Sequence, residues 1–161
     1  MKHYVSASRN LVDEVVIDND LQVSPKLQAH VVAVMADYFD KNLADIAISF
    51  EYMRTNINET RSMSYVELGN HCLMYTTLLK RRAEKVGSVP YYSKIGASSY
   101  MNASMVEEAY GFKYMRDMLN LIFHKKLTND IDDLLYESSN DSPFAKQRLS
   151  LLNIVKGPWD V

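Results

Sequence analysis

The feature that most constrains this chain is a helix start followed by a long stretch free of breakers. Ser24 supplies a side-chain cap, and Pro25 falls at the first helical position, where a missing N–H costs nothing. From Lys26 to Ile57 there is no glycine or proline. Val32, Met35, Phe39, Leu43, Ile46, Phe50, Met53 and Ile57 recur at spacings of three and four, which places them on one helical stripe. Asp37, Lys41, Asp45, Glu51 and Arg54 fall largely off it, while Val31, Val34, Tyr38, Ile48 and Tyr52 widen it. An unbroken helix over 25–57 would be about 48 Å long, more than a small domain's diameter. It must either kink near Asp40-Lys41-Asn42 or lie along a partner. The expectation is one long central helix with a partner along part of its length.

The same signals extend the reading to an all-α bundle of five or six helices in a single domain, 1–161. Ser64 and Glu67 form a capping box for a helix reaching Val86 and stopping at Gly87. Ser104 and Glu107 do the same for a helix to Phe123, with Gly111 inside it. Thr128 is the expected cap of a short helix to Tyr136, and Ser142-Pro143 opens a last one ending at Gly157-Pro158. Residues 87–103 read as an irregular turn region, because Gly87, Pro90 and Gly96 interrupt it. Near the N-terminus, Val15–Val23 reads either as a minor hairpin around Asp18-Asn19-Asp20 or as the end of a helix lined by Leu11, Val12, Val15 and Val16. A helix ending in a turn is preferred.

Composition bounds the class. With 161 residues, 47% hydrophobic and 24% charged, the chain can bury a sizeable core. Cys72, the single cysteine, cannot form an internal disulfide, which points to a reducing compartment and a cytoplasmic location. No signal-peptide pattern follows Met1, and no apolar run approaches the roughly 20 residues of a membrane helix.

Residues able to do chemistry are scattered. Cys72 follows His71, but helical neighbours point about 100° apart, and Cys72 lies on the apolar face as a buried, inert thiol. His71 and Glu67, four apart, read as a surface pair. His3, His30, His71 and His124 show no metal-ligand spacing. Asp130, Asp132 and Asp133 suit a solvated helix start rather than a calcium loop. No phosphate-binding glycine loop occurs. The 9 Met and 11 Tyr fall mostly at core spacings, and Trp159 reads as a C-terminal anchor. No enzyme, metal or cofactor is expected.

Charge is segregated. Residues 1–60 carry 5 Lys/Arg against 9 Asp/Glu, residues 61–126 carry 10 against 5, and residues 127–161 carry 3 against 6. The basic middle contains Lys80, Arg81, Arg82, Lys85, Lys94, Lys113 and Arg116, interleaved with Tyr91 and Tyr92. Such a set can neutralise and stack on a nucleic acid, or simply form a charged helical face.

A helix, a small-residue turn, Val89-Pro90-Tyr91-Tyr92-Ser93-Lys94-Ile95-Gly96 and a further helix resemble the helix-turn-helix part of winged-helix DNA-binding domains, over residues 73–123. The resemblance implies a short strand with an aromatic residue in the turn. It also implies that the helix holding Lys113 and Arg116 stands in the recognition position. Two functional readings follow. One is a non-catalytic interaction or regulatory protein that dimerises or binds a protein partner through Val32, Met35, Phe39, Leu43, Ile46 and Phe50. The other is a small nucleic-acid-binding regulator using the basic segment 80–116.

Overall fold

The computed structural model describes residues 2–40, 52, 55–56, 63–124 and 130–156, and these residues form helices joined by turns, with no strand among them. The helices are α1 (Lys2–Asp18), α2 (Pro25–Asp40), α3 (Tyr65–Tyr75), α4 (Lys80–Val86) and α5 (Val89–Asn102). They continue as α6 (Val106–Tyr110), α7 (Phe112–Phe123), α8 (Ile131–Ser139) and α9 (Pro143–Lys156). No helix among the described residues is long and apolar enough to cross a membrane.

The hairpin alternative gives way to helix α1. Its end is closed by the Leu21 N–H on the Val16 carbonyl (3.0 Å) and the Asp20 N–H on that of Ile17 (3.3 Å). Asp20 takes the left-handed conformation (φ 50°) between them. This is the Schellman pattern, so Asp18-Asn19-Asp20 stops a helix rather than turning a hairpin. Val12, buried in α1, and Leu11, Val15 and Val16 around it pack on the core.

Local caps form largely where the residue types place them. Ser24 Oγ accepts the Leu27 N–H at 3.3 Å, Ser64 Oγ accepts that of Glu67 at 3.1 Å, and Ser142 Oγ accepts that of Ala145 at 3.1 Å. Four boundaries differ from expectation. The helix from Ser64 breaks after Tyr75, because the Thr76 and Thr77 hydroxyls donate back to the Cys72 (2.9 Å) and Leu73 (2.8 Å) carbonyls. The His124 ring then meets the Thr77 carbonyl at 2.8 Å. Residues 89–102 are helical rather than irregular. Ser88 Oγ caps the Tyr91 N–H at 3.1 Å, and Pro90 sits in the first turn, where proline starts a helix. Ser104 is not a cap; it turns the chain at φ 62°, and the expected third helix is two, separated at Gly111. Asp130, whose carboxylate accepts the Asp132 N–H at 2.9 Å, starts α8; Thr128 lies outside the described residues.

Among the described residues the central element is α7; the expected helix over 25–57 is described as α2 to Asp40, and its remainder lies largely outside the described residues. Helices α1 and α2, α3 and α5, and α8 and α9 pair, and these pairs gather around α7. Phe112, Met115, Met118, Leu119 and Ile122 join one apolar core, and Leu121 joins a second with Leu134, Phe144 and Ala145. Helix α5 lies tight on its neighbours: a Cβ at Gly96 would fall 2.5 Å from the Phe112 ring and 2.8 Å from Cys72 Cβ. That close approach brings Ser93 within reach of α7.

Candidate functional site

Two helical faces and a turn enclose a groove of about 360 Å³. Helix α5 contributes Pro90, Ser93, Lys94 and Ala97, spaced so that they share one side. Ala109 and Tyr110 of α6, with Phe112, Lys113 and Arg116 of α7, form the facing wall. Ser139, Asn140 and Asp141, at the α8–α9 turn, close the end.

Arg116 decides the character of this groove. Its side chain is only 2% exposed, yet it lines the cavity. One terminal nitrogen donates to Ser93 Oγ at 2.6 Å and the other to the Asn140 carbonyl. Both acceptor residues also line the groove, so the guanidinium forms part of its floor. Nε is buried with no hydrogen-bond partner among the described residues. An unpaired buried donor typically costs about 1–3 kcal/mol. Burial lowers the pKa of Arg116, while Asp117, Glu137 and Asp141 oppose that shift; an arginine stays charged throughout.

Lys94 is exposed, and Lys113 reaches Asp141 at 3.8 Å and overlies the Tyr114 ring at 5.9 Å. Asp141 also binds Lys146, and chiefly that bond holds its carboxyl below the usual range. The lip of the groove carries Tyr110, 73% exposed.

Asp117, the next residue along α7, performs a structural task. Its carboxylate accepts the Ser142 hydroxyl at 2.5 Å and the Phe144 N–H at 2.9 Å, tying α9 to α7. Burial raises its pKa to about 6 despite these hydrogen bonds. The unfolded value is near 3.9, so the folded state binds this proton more tightly. Its contribution therefore favours folding at acid pH and is lost as pH rises from about 4 to about 6. Urea unfolding of the wild type and Asp117→Asn between pH 4 and 7 checks this. The wild type is expected to lose stability relative to the variant across that window, by at most about 3 kcal/mol. A pH-independent difference would exclude it.

The residues singled out in the sequence divide in space. Val32 and Met35 are interior core residues, so the partner-binding role read for them is not open to them. Phe39 is 40% exposed and lies beside Tyr4, with ring centroids 6.0 Å apart. Leu43, Ile46 and Phe50 lie outside the described residues. Of the basic set, Arg81, Arg82 and Lys85 are exposed on α4, and Lys80 is bonded to Glu137 at 3.1 Å. Tyr91 is exposed, whereas Tyr92 is buried and stacked on Tyr75 at 4.9 Å. Lys94, Lys113 and Arg116 come together at the groove, with Arg116 interior rather than on a recognition surface. Where the winged-helix resemblance implies a strand, the chain is helical.

Sequence reasoning missed Pro90, Ser93, Ala97, Tyr110, Asn140 and Asp141. The first three share a helical spacing with Lys94 that becomes visible once Pro90 is read as a helix start. Nothing local marks Asn140 and Asp141.

Other reactive groups are enclosed. Burial pushes the Cys72 thiol far above the nucleophilic range. The His30 ring lies 3.1 Å from Asn70 Oδ1 and 2.9 Å from the Tyr100 hydroxyl, and burial lowers its pKa. Among the described residues no three His, Cys, Asp or Glu side chains are grouped to hold a metal ion.

Fold and groove together define a class: an all-α bundle with a cation-floored cleft between helices. Compared with protein-family models, with curated proteins and with solved structures, the chain matches none.

Proposed function

We propose that this chain is a non-catalytic helical interaction protein that docks a segment of a protein partner in the groove between α5, α6, α7 and the α8–α9 turn. The observation that carries the reading is the groove itself, a concave surface with an apolar wall, a buried guanidinium in its floor and an exposed tyrosine on its lip. Tyrosine and arginine are the side chains on which protein interfaces most often depend. The docking face assigned here replaces the apolar stripe, whose Val32 and Met35 are occupied inside the bundle.

A fluorescein-labelled random hexapeptide pool, read by polarisation, tests it. Wild type is expected to bind a subset of the pool, and Tyr110→Ala to weaken that binding by about tenfold or more. Because Tyr110 is largely solvent-exposed, the variant should keep its stability within about 0.5 kcal/mol. Equal binding by both proteins would remove the groove from consideration. A dimer in light scattering that dissociates on Tyr110→Ala would identify the occupant as a second copy of the chain.

A nucleic-acid reading is favoured by a separate observation, three exposed cations, Arg81, Arg82 and Lys85, on the single short helix α4. It predicts binding to a generic duplex that falls steeply with salt. Arg81→Glu, Arg82→Glu and Lys94→Glu together should abolish it. Unchanged duplex binding by that triple variant would sink this reading.

A further inference from the structure

Resting on the docking reading above, we propose that the groove recognises an acidic side chain of the partner segment, and that Asp141 is an internal stand-in for it. The groove-lining residues include three cations, Lys94, Lys113 and Arg116, against the single carboxylate of Asp141. The arrangement is therefore complementary to an anion. The deepest of these cations, the Arg116 guanidinium, is held by Ser93 and Asn140 and its Nε is closed off from solvent, so Lys94 and Lys113 are the cations that an entering anion reaches. A carboxylate there accepts charge-assisted hydrogen bonds from these lysines. Pro90, Ala97, Ala109 and Phe112 offer apolar surface beside it. A volume of about 360 Å³ is at the small end of ligand cavities, which suits an acidic residue with one neighbour and not a whole helix.

Asp141 is placed in an unusual way. The Ser142 N–H bonds the Glu137 carbonyl and the Asp141 N–H that of Ser138, both at 3.0 Å, which makes the end of α8 a Schellman turn. Asp141 occupies its left-handed position at φ 67°, where glycine or asparagine is commonest. The turn itself has no use for a carboxylate. What the carboxylate does is hold Lys146 and stand 3.8 Å from Lys113 at the groove. A ligand anion arriving at Lys113 meets this charge as a competitor. Removing it frees the lysine and removes a like-charge repulsion.

The test uses the full chain and four defined fluorescein-labelled hexapeptide pools. One pool carries a glutamate and an amidated C-terminus, and one carries a phosphoserine and an amidated C-terminus. A third has neutral side chains and a free C-terminus, and the fourth is neutral and amidated. The glutamate pool is expected to bind at least tenfold more tightly than the neutral amidated pool; a preference confined to the phosphoserine or free-C-terminus pool would overturn the acidic side chain as occupant. Asp141→Asn, which tolerates the same left-handed backbone, is expected to tighten glutamate-pool binding by about fivefold, the upper range for an exposed ion pair. Lys113→Met is expected to weaken it by tenfold or more. Thermal melts of both variants establish that they fold.

If neutral and anionic pools bind alike and neither substitution changes affinity, the acidic-side-chain assignment falls while docking in the groove stands. If no pool binds, both fall. A 20-base-pair DNA duplex that bound in a Lys113-dependent way, with no peptide binding, would overturn the assignment in favour of nucleic acid.

Discussion

Replacing Arg116 by methionine is expected to destabilise the fold by about 3–5 kcal/mol. Methionine keeps much of the stem's volume and removes the charge. The loss leaves the Ser93 hydroxyl and the Asn140 carbonyl without their donor. It also removes the neighbouring cation that lowers the buried Asp117 carboxyl, while Glu137, also buried, keeps Lys80. Breaking one side of a buried charged network is costly because the other charges stay behind. In a chain of this length the melting temperature should drop by roughly 10 °C or more. The Asp117 carboxyl, already at about 6, should titrate higher still, since Arg116 is one of the influences lowering it. Differential scanning calorimetry and the pH dependence of unfolding measure both effects. A loss below about 1 kcal/mol would mean that the guanidinium is not the tie between α5, α7 and the α8–α9 turn.

Met35→Ala is expected to cost about 2–5 kcal/mol, the range for truncating a fully buried methionine. Its side chain is 0% exposed and belongs to the core that helices α1 to α7 build. Self-association measured by light scattering should be unchanged wherever the variant remains folded. An interface role would produce the opposite pattern, intact stability with lost association. Urea unfolding beside light scattering separates the two, because one reports folding and the other reports contact between molecules.

Much of the fold can be read locally, and the reason lies in short-range chemistry. Ser24-Pro25, Ser64 with Glu67, and Ser142-Pro143 mark helix starts because a cap and its N–H lie within three residues of each other. Pro90 shows the limit of such signals. Proline ends a helix when it falls inside one and begins a helix when it falls in the first turn, and only the Ser88 cap and the packing of Gly96 on Phe112 decide which applies. Thr76-Thr77 shows another: a β-branched pair is compatible with helix, and the break becomes stable once His124 covers the Thr77 carbonyl from 47 positions away.

The candidate site was legible only in part. The sequence showed that the middle of the chain is basic and named Lys94, Lys113 and Arg116 among its cations. It did not show that they meet, or that Arg116 is interior. Helix α7 carries Arg116, Asp117 and Asn120 among its apolar residues, so by pattern it reads as half solvated. It is instead buried on nearly every side.

Helicity, several helix starts and the residues that favour burial follow from local pattern, because caps and 3.6-residue periodicity act over a few positions. Which described helix lies at the centre and which charges meet at a site depend on packing between distant segments. A buried arginine or aspartate is stable only when partners such as Ser93, Asn140, Ser142 and the Phe144 N–H are brought to it from more than 20 residues away.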